Sequence, residues 1–157
     1  MILPADASKP LILLAEDDPD DVLLMRLAIQ KAAFANPFFI ARDGQEVVDY
    51  LAGEDPYSDR TRYPFPSLLL LDIKMPRLNG FEVLSWLQQR PEFDHLPIVM
   101  LSGSTLDTDM QKAKELGADD YRVKPLGIPA LVQILHDLQA RWLDGPSKPA
   151  SDGDGSL

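Results

Sequence analysis

Four consecutive leucines, Leu68 to Leu71, close on a carboxylate, Asp72. An extended run points its side chains alternately to both faces. A run that is apolar at every position therefore folds stably as a strand only where both faces are covered, as in parallel sheets sandwiched by helices. A second such run, Leu11 to Ala15, ends in Glu16, Asp17 and Asp18. If the two runs are neighbouring parallel strands, several carboxylates converge at one sheet edge. There they repel, and one or more would take up a proton unless a cation sits among them. Hard oxygen ligands in that number, with positions left for water and phosphate, suit Mg²⁺.

Along the chain, short apolar runs alternate with longer segments of helical period, the pattern of βα units. Five units fit, with strands expected at 11–16, 38–42, 67–72, 97–102 and 119–123, the outer two more polar than the others. Asp18 reads as the N-cap of a first helix with Pro19 at its first position, running to about Ala33. The second helix follows Asp43 and Gly44 and ends near Gly53. The third follows Asn79 and Gly80 and ends before Pro91, and the fourth covers roughly 106–116 and stops at Gly117. The fifth places Leu131, Leu135, Leu138 and Trp142 on one face and ends near Leu143. Residues 54–66 carry three prolines and read as an inserted surface loop. The expected organisation is one domain over 10–143, a short leader at 1–9 and a polar, Gly- and Pro-rich tail at 144–157.

Composition removes several function classes. With no cysteine, neither a disulfide framework nor a thiolate zinc site is possible. A net charge of -10 works against binding a polyanion, so nucleic acid is not an expected partner. The amino terminus lacks the pattern of a signal peptide, and no stretch is long enough to span a bilayer, so a cytoplasmic protein without a membrane partner is expected.

In an open parallel sheet, ligands bind outside the carboxyl ends of the strands. Glu16 and Asp17 end the first expected strand, Asp72 the third and Ser102 the fourth, and Lys124 follows the fifth. A phosphoryl group would use all of them. Asp72 can attack phosphorus, a metal on Glu16, Asp17 and Asp72 can neutralise the developing charge, and Lys124 and Ser102 can bind phosphoryl oxygens.

These pieces in this order are similar to the receiver domain of two-component response regulators: Leu13 to Asp17, Leu71 to Pro76 followed by Asn79 and Gly80, Leu101 to Gly103, and Tyr121 to Pro125. The resemblance implies a doubly wound (βα)5 flavodoxin-like α/β sandwich with a five-stranded parallel sheet in the order 2-1-3-4-5. It implies that Asp72 accepts phosphate from a sensor histidine kinase or a histidine phosphotransfer protein, and that the backbone carbonyl of Lys74 joins the metal ligands. It implies a cis peptide at Lys124–Pro125. It also implies a switch in which Ser102 moves toward phosphate, Tyr121 turns inward, and the face of helix 4, strand 5 and helix 5 changes its contacts, homodimerisation among them. The loop at 54–66, the helix after Gly44 and the ending at Trp142 and Leu143 resemble a stand-alone subgroup that partners phytochrome-type kinases.

Plainer readings compete for single residues. Asp18 and Asp21 are expected to serve only the dipole of the first helix. His95 and His136 have no metal-pair spacing and read as surface residues. Trp142, Phe34 and Phe81 read as packing residues, while Val132 and Leu143, off the main stripe of the fifth helix, hint at a dimer face. Two other functions fit less well. A Mg²⁺-dependent phosphohydrolase or phosphotransferase with an aspartyl-phosphate intermediate would need a further acid or base near Asp72, where Ile73 and Lys74 stand instead. A non-phosphorylated adaptor would not need the acidic pair, Asp72, Ser102 and Lys124 together.

Overall fold

The structure is a computed structural model describing residues 6–144. The first five residues of the expected leader and the tail from 145 onward lie outside the described residues. Five strands, β1 (Ile12–Ala15), β2 (Phe38–Ala41), β3 (Leu68–Leu71), β4 (Ile98–Ser102) and β5 (Asp120–Val123), form one parallel sheet in the order β2-β1-β3-β4-β5. The helices α1 (Pro19–Lys31), α2 (Gly44–Ala52), α3 (Gly80–Gln88), α4 (Asp107–Glu115) and α5 (Ile128–Leu138) alternate with them. This is the doubly wound, three-layer arrangement expected.

The leucine-rich strands divide their side chains between two cores. Leu13, Leu69, Leu71 and Met100 pack with residues of α2 and α3 such as Val47, Leu51, Val83 and Leu84. Ile12, Leu14, Leu68, Leu70 and Val99 pack with α1 and α5 through Met25, Ala28, Leu131 and Leu135. An unbroken apolar strand thus serves both layers, by the two-residue alternation of side chains.

Helix starts follow local chemistry. The Asp18 carboxylate accepts from the backbone N–H of Asp20, and the Asp43 carboxylate accepts from that of Glu46. Asn79 and Glu82 form a reciprocal capping box. Gly53 and Gly117 take left-handed backbone angles, φ 73° and 101°, at or just past the ends of α2 and α4.

Three expectations need revision. Residues 54–66 are not merely a surface insertion. Tyr57 is buried, and its ring and that of Tyr63 meet Phe39 edge-on at 5.5 and 6.2 Å. The Tyr50 hydroxyl donates to the Pro64 carbonyl at 2.8 Å, and the Arg60 guanidinium donates to the Leu51 carbonyl at 2.9 Å. The second difference is that β2, an edge strand, is buried at every position, Phe39 under these aromatic rings and Phe38 and Ile40 in the core on the α1 side, whereas β5 at the other edge is half-buried to exposed. Third, the cis peptide described is at Asp55–Pro56, not at Lys124–Pro125. Proline brings the two isomers close in energy wherever it stands, so residue type does not choose between such positions.

Smaller differences lie at helix ends. α1 stops at Lys31, two residues short of Ala33, which takes a left-handed angle. After Leu138 the last turn widens into a π-helical segment, Gln139–Leu143. Trp142, Val132 and Leu143 pack, partly buried, against the core on the α1 and α5 side.

Candidate functional site

Strand register assembles the site. Ala15 pairs with Leu71, so the residues that follow them, Glu16 and Asp72, leave adjacent strands at the same level. Ser102 pairs with Val123, which places Ser102 beside Lys124 at that edge, and the Lys124 N–H donates to the Ser102 carbonyl at 2.8 Å. A cleft of about 680 Å³ opens there, lined by Glu16, Asp17, Asp72, Lys74, Ser102 and Lys124 among others. Six of the seven residues singled out from sequence therefore share one cavity. The seventh, Tyr121, stands behind the loop after β4, where its hydroxyl donates to the Ser104 carbonyl at 2.9 Å. The Ser104 N–H in turn donates to the Ser102 hydroxyl oxygen at 3.3 Å, so Tyr121 is one hydrogen bond from the cleft lining and two from Ser102.

Glu16, Asp72 and Ser102 are buried, while Asp17 is exposed at the mouth. One carboxylate oxygen from each of Glu16, Asp17 and Asp72 lies within 4.8 Å of the others. The Lys124 ammonium is central: its Nζ lies 2.6 Å from Glu16 Oε1, 2.7 Å from Asp72 Oδ2 and 2.9 Å from Asp21 Oδ2. The other Asp72 oxygen accepts from the Ile73 N–H at 2.7 Å, and Glu16 Oε2 accepts from the Asp18 N–H at 3.1 Å. Close packing holds the loop after β3 in place. The Gly80 N–H donates to the Ile73 carbonyl at 2.8 Å, and a Cβ on Gly80 would sit 2.2 Å from the Asp72 carbonyl oxygen.

The electrostatics match that crowding. Burial pushes the Glu16 carboxyl up to about 7, and the hydrogen bond and charge of Lys124 offset this only in part. Burial works to lower the Lys124 ammonium, but its hydrogen bonds to Asp72, Glu16 and Asp21 outweigh it and hold the group well above the ordinary lysine range. Three carboxylates thus contact one ammonium, and Asp17 adds a fourth at the mouth of the cleft. An oxygen cluster left this short of positive charge has the donor chemistry of a divalent hard-cation site, which the close carboxylates of Glu16, Asp17 and Asp72 fit.

Sequence reasoning missed Asp21, which was assigned to the helix dipole alone. It lies in the first turn of α1, whereas Asp17 precedes the N-cap Asp18 and is not part of the helix. No helical period therefore links the two, and the bond to Lys124 spans 103 positions. Asp18 caps α1 as expected, and its N–H also donates to the site carboxylate Glu16. His95 and His136 are exposed and away from the cleft.

Comparison with known proteins gives a consistent picture. A family model described as the response regulator receiver domain matches residues 12–136. Response regulator Rcp1 of Synechocystis is 29% identical over 94% of this chain and 99% of its own length, and a Mn²⁺-bound structure of Rcp1 superposes with a TM-score of 0.76 at 28% identity, over 90% of this chain and 99% of that one. The phosphorylated cyanobacterial phytochrome response regulator RcpA has a TM-score of 0.79 at 29% identity, with the same coverage. A probable cyclic di-GMP phosphodiesterase of Vibrio cholerae is 35% identical over 83% of this chain, but the match spans only 27% of that protein.

Proposed function

Because the chain belongs to the response regulator receiver domain family, we propose that its strand-end cleft takes a phosphoryl group onto Asp72 from the phosphohistidine of a sensor kinase or phosphotransfer protein. One observation carries this reading. A buried carboxylate at the end of β3 has one oxygen 2.7 Å from a lysine ammonium and shares a three-carboxylate cluster.

In the transfer, a carboxylate oxygen of Asp72 forms a bond to phosphorus as the phosphorus–nitrogen bond of the donor breaks, and the bonding electron pair leaves with the imidazole. The transition state is loose, so positioning and charge neutralisation do most of the work. Lys124, already at Asp72, binds one phosphoryl oxygen as charge moves outward from the carboxylate. Ser102, three per cent exposed and on the neighbouring strand, donates its hydroxyl to another. Bound Mg²⁺ on Glu16, Asp17, Asp72 and the Lys74 carbonyl would supply positive charge against both the carboxylates and the phosphoryl oxygens. The likeness to Rcp1, a response regulator with a Mn²⁺-bound form, supports the reading of a divalent ion.

The output is contact with another protein. Drawing Ser102 toward phosphate pulls on the Ser104 N–H, and Ser104 holds the Tyr121 hydroxyl. This route carries the change to β5 and to the face that β5 shares with α4 and α5, the surface proposed for homodimerisation. The phosphate contributes only its differential affinity for the two arrangements. A phytochrome-type kinase is the proposed partner, on the likeness to RcpA.

The test is incubation of the chain with Mg²⁺ and acetyl phosphate followed by intact-mass measurement. One added phosphoryl group is expected, and none with Asp72→Asn. Labelling that survives that substitution overturns the assignment.

A further inference from the structure

Asp21 has no part in the ligand set above, yet its Oδ2 accepts a hydrogen bond from Lys124 Nζ at 2.9 Å. We propose that Asp21 is a positioning residue: it keeps the Lys124 ammonium at the cleft edge when metal and phosphoryl group claim that ammonium's other two partners. The inference rests on the reading of Asp72 as phosphoacceptor.

Lys124 has three carboxylate partners in the structure, matching the three donors of an ammonium. Two of them, Glu16 and Asp72, belong to the close cluster that suits a divalent cation. A cation there neutralises the charge that Lys124 sees on both, so two of its attractions weaken together. Asp21 stands outside that cluster and keeps its charge for Lys124 alone. The lysine stem is long and flexible, and an ammonium that loses its partners gains rotamer freedom by swinging into water. Lys124 still needs to be at Asp72 when phosphorus arrives.

The surrounding structure makes Asp21 a fixed anchor rather than a passing contact. Asp18 caps α1, Pro19 sets its first residue, and the Val22 N–H donates to the Asp18 carbonyl at 3.0 Å, so the backbone that bears Asp21 is locked within a single turn. At the other end, the Lys124 N–H is held to the Ser102 carbonyl at the end of β4. The ion pair therefore bridges the start of α1 and the end of the β4–β5 pair across the mouth of the cleft. Asp21 is half-buried, which reduces screening of this bond compared with a fully exposed pair.

The test uses the full chain with three substitutions: Asp21→Asn, Asp21→Glu and Asp20→Asn. Asp20 is exposed one residue earlier on the same turn, so Asp20→Asn removes the same charge without removing a partner of Lys124. At saturating Mg²⁺, the labelling rate with acetyl phosphate is expected to fall about tenfold in Asp21→Asn, short of the roughly hundredfold loss that a full ångström of misplacement brings. Asp20→Asn stays within about twofold of the unsubstituted rate, and Asp21→Glu recovers most of the loss. The Mg²⁺ dissociation constant of each variant is measured by calorimetry, so that the rates are compared at equal metal occupancy. A protected Lys124 ammonium resonance in ¹H–¹⁵N spectra of the Mg²⁺-bound chain is expected to broaden only in Asp21→Asn. Equal rates in Asp21→Asn and the unsubstituted chain, equal losses in the two Asn variants, or a loss fully accounted for by weaker Mg²⁺ binding each overturn the proposal while leaving Asp72 as acceptor. Failure of the unsubstituted chain to label overturns both readings.

Discussion

Arg77 grips the carboxylate that caps α2: its Nε and Nη2 lie 2.9 and 3.1 Å from the two oxygens of Asp43. The contact joins the loop after Asp72 to the start of α2, which shares a core with α3, and it is reinforced where the Gly44 N–H donates to the Leu78 carbonyl at 3.1 Å. Although burial works to raise it, the Asp43 carboxyl is held below its usual range by the Arg77 bond and by the N–H groups of the helix start. A carboxyl depressed in the folded state stabilises the fold above its unfolded value, about 3.9, and that stability is lost as pH falls through the folded value. Asp43→Ala removes both cap and ion pair and is expected to cost about 1–2 kcal/mol at pH 7. Urea unfolding at a series of pH values checks this: the gap between the two proteins narrows below about pH 4, and a gap unchanged at pH 2 contradicts it.

Lys124 is the next case. Replacing it with Ala leaves Glu16 and Asp72, side chains 5% and 8% exposed, without the ammonium that balances them. Removing one partner of a buried ion pair costs about 3 kcal/mol or more. In the absence of divalent ions, Lys124→Ala is expected to unfold at clearly lower urea concentration than the unsubstituted chain. Adding Mg²⁺ should restore more stability to the variant than to the parent, because the added charge replaces the missing one. Equal gains for the two proteins would show that Lys124 and the metal do not share these carboxylates.

Much of this site was readable because a parallel sheet brings every strand's carboxyl end to one edge. Once Leu11 to Ala15 and Leu68 to Leu71 are neighbouring strands, the pairing of Ala15 with Leu71 leaves Glu16 and Asp72 no other place to go. Asp21 was harder to read, since an acid in the first turn of a helix already has a local explanation in the dipole. Its bond to a residue 103 positions away has no local signature. The same holds for residues 54–66: their prolines signal an irregular segment, but nothing nearby signals that Tyr57 and Tyr63 close over Phe39. Long-range side-chain contacts of this kind are fixed by tertiary packing, which propensity and periodicity do not encode.

Bound metal is expected to act as a stabilising ligand. A ligand present at a hundred times its dissociation constant adds about 2.7 kcal/mol if it binds only the folded state. Calorimetric melting with and without Mg²⁺ should therefore show a higher transition with the ion, reversed by a chelator. With Asp17→Asn, which removes an exposed member of the three-carboxylate cluster without disturbing the buried pair, the shift should shrink at equal Mg²⁺. An undiminished shift would place the ion elsewhere.

Two glycines near the cleft should respond oppositely to the same added methyl group. A Cβ at Gly80 would stand 2.2 Å from the Asp72 carbonyl oxygen, while at Gly103 nothing lies within 4 Å. Gly80→Ala forces apart α3 and the strand end that carries Asp72, an overpacking expected to cost about 1–3 kcal/mol and to slow labelling with acetyl phosphate. Gly103→Ala is expected to fold and label like the parent.

The aromatic cover over β2 gives the last prediction. The Tyr57 ring is buried against Phe39 and Tyr50, and its hydroxyl donates to Glu46 Oε2 at 2.6 Å while Glu46 Oε1 accepts from the Arg42 N–H at 2.8 Å. A residue so placed belongs to the core although it lies in a long connection. Tyr57→Ala should cost about 3 kcal/mol, the amount typical of emptying an aromatic site. Tyr57→Phe keeps the ring and loses one charge-assisted hydrogen bond, and should cost about 1.5 kcal/mol. Neither substitution touches the cleft, so labelling of the folded protein at Asp72 should proceed at the parent rate. Urea unfolding separates the cases: if Tyr57→Ala is as stable as the parent, residues 54–66 are a surface appendage and the burial of β2 rests on other residues.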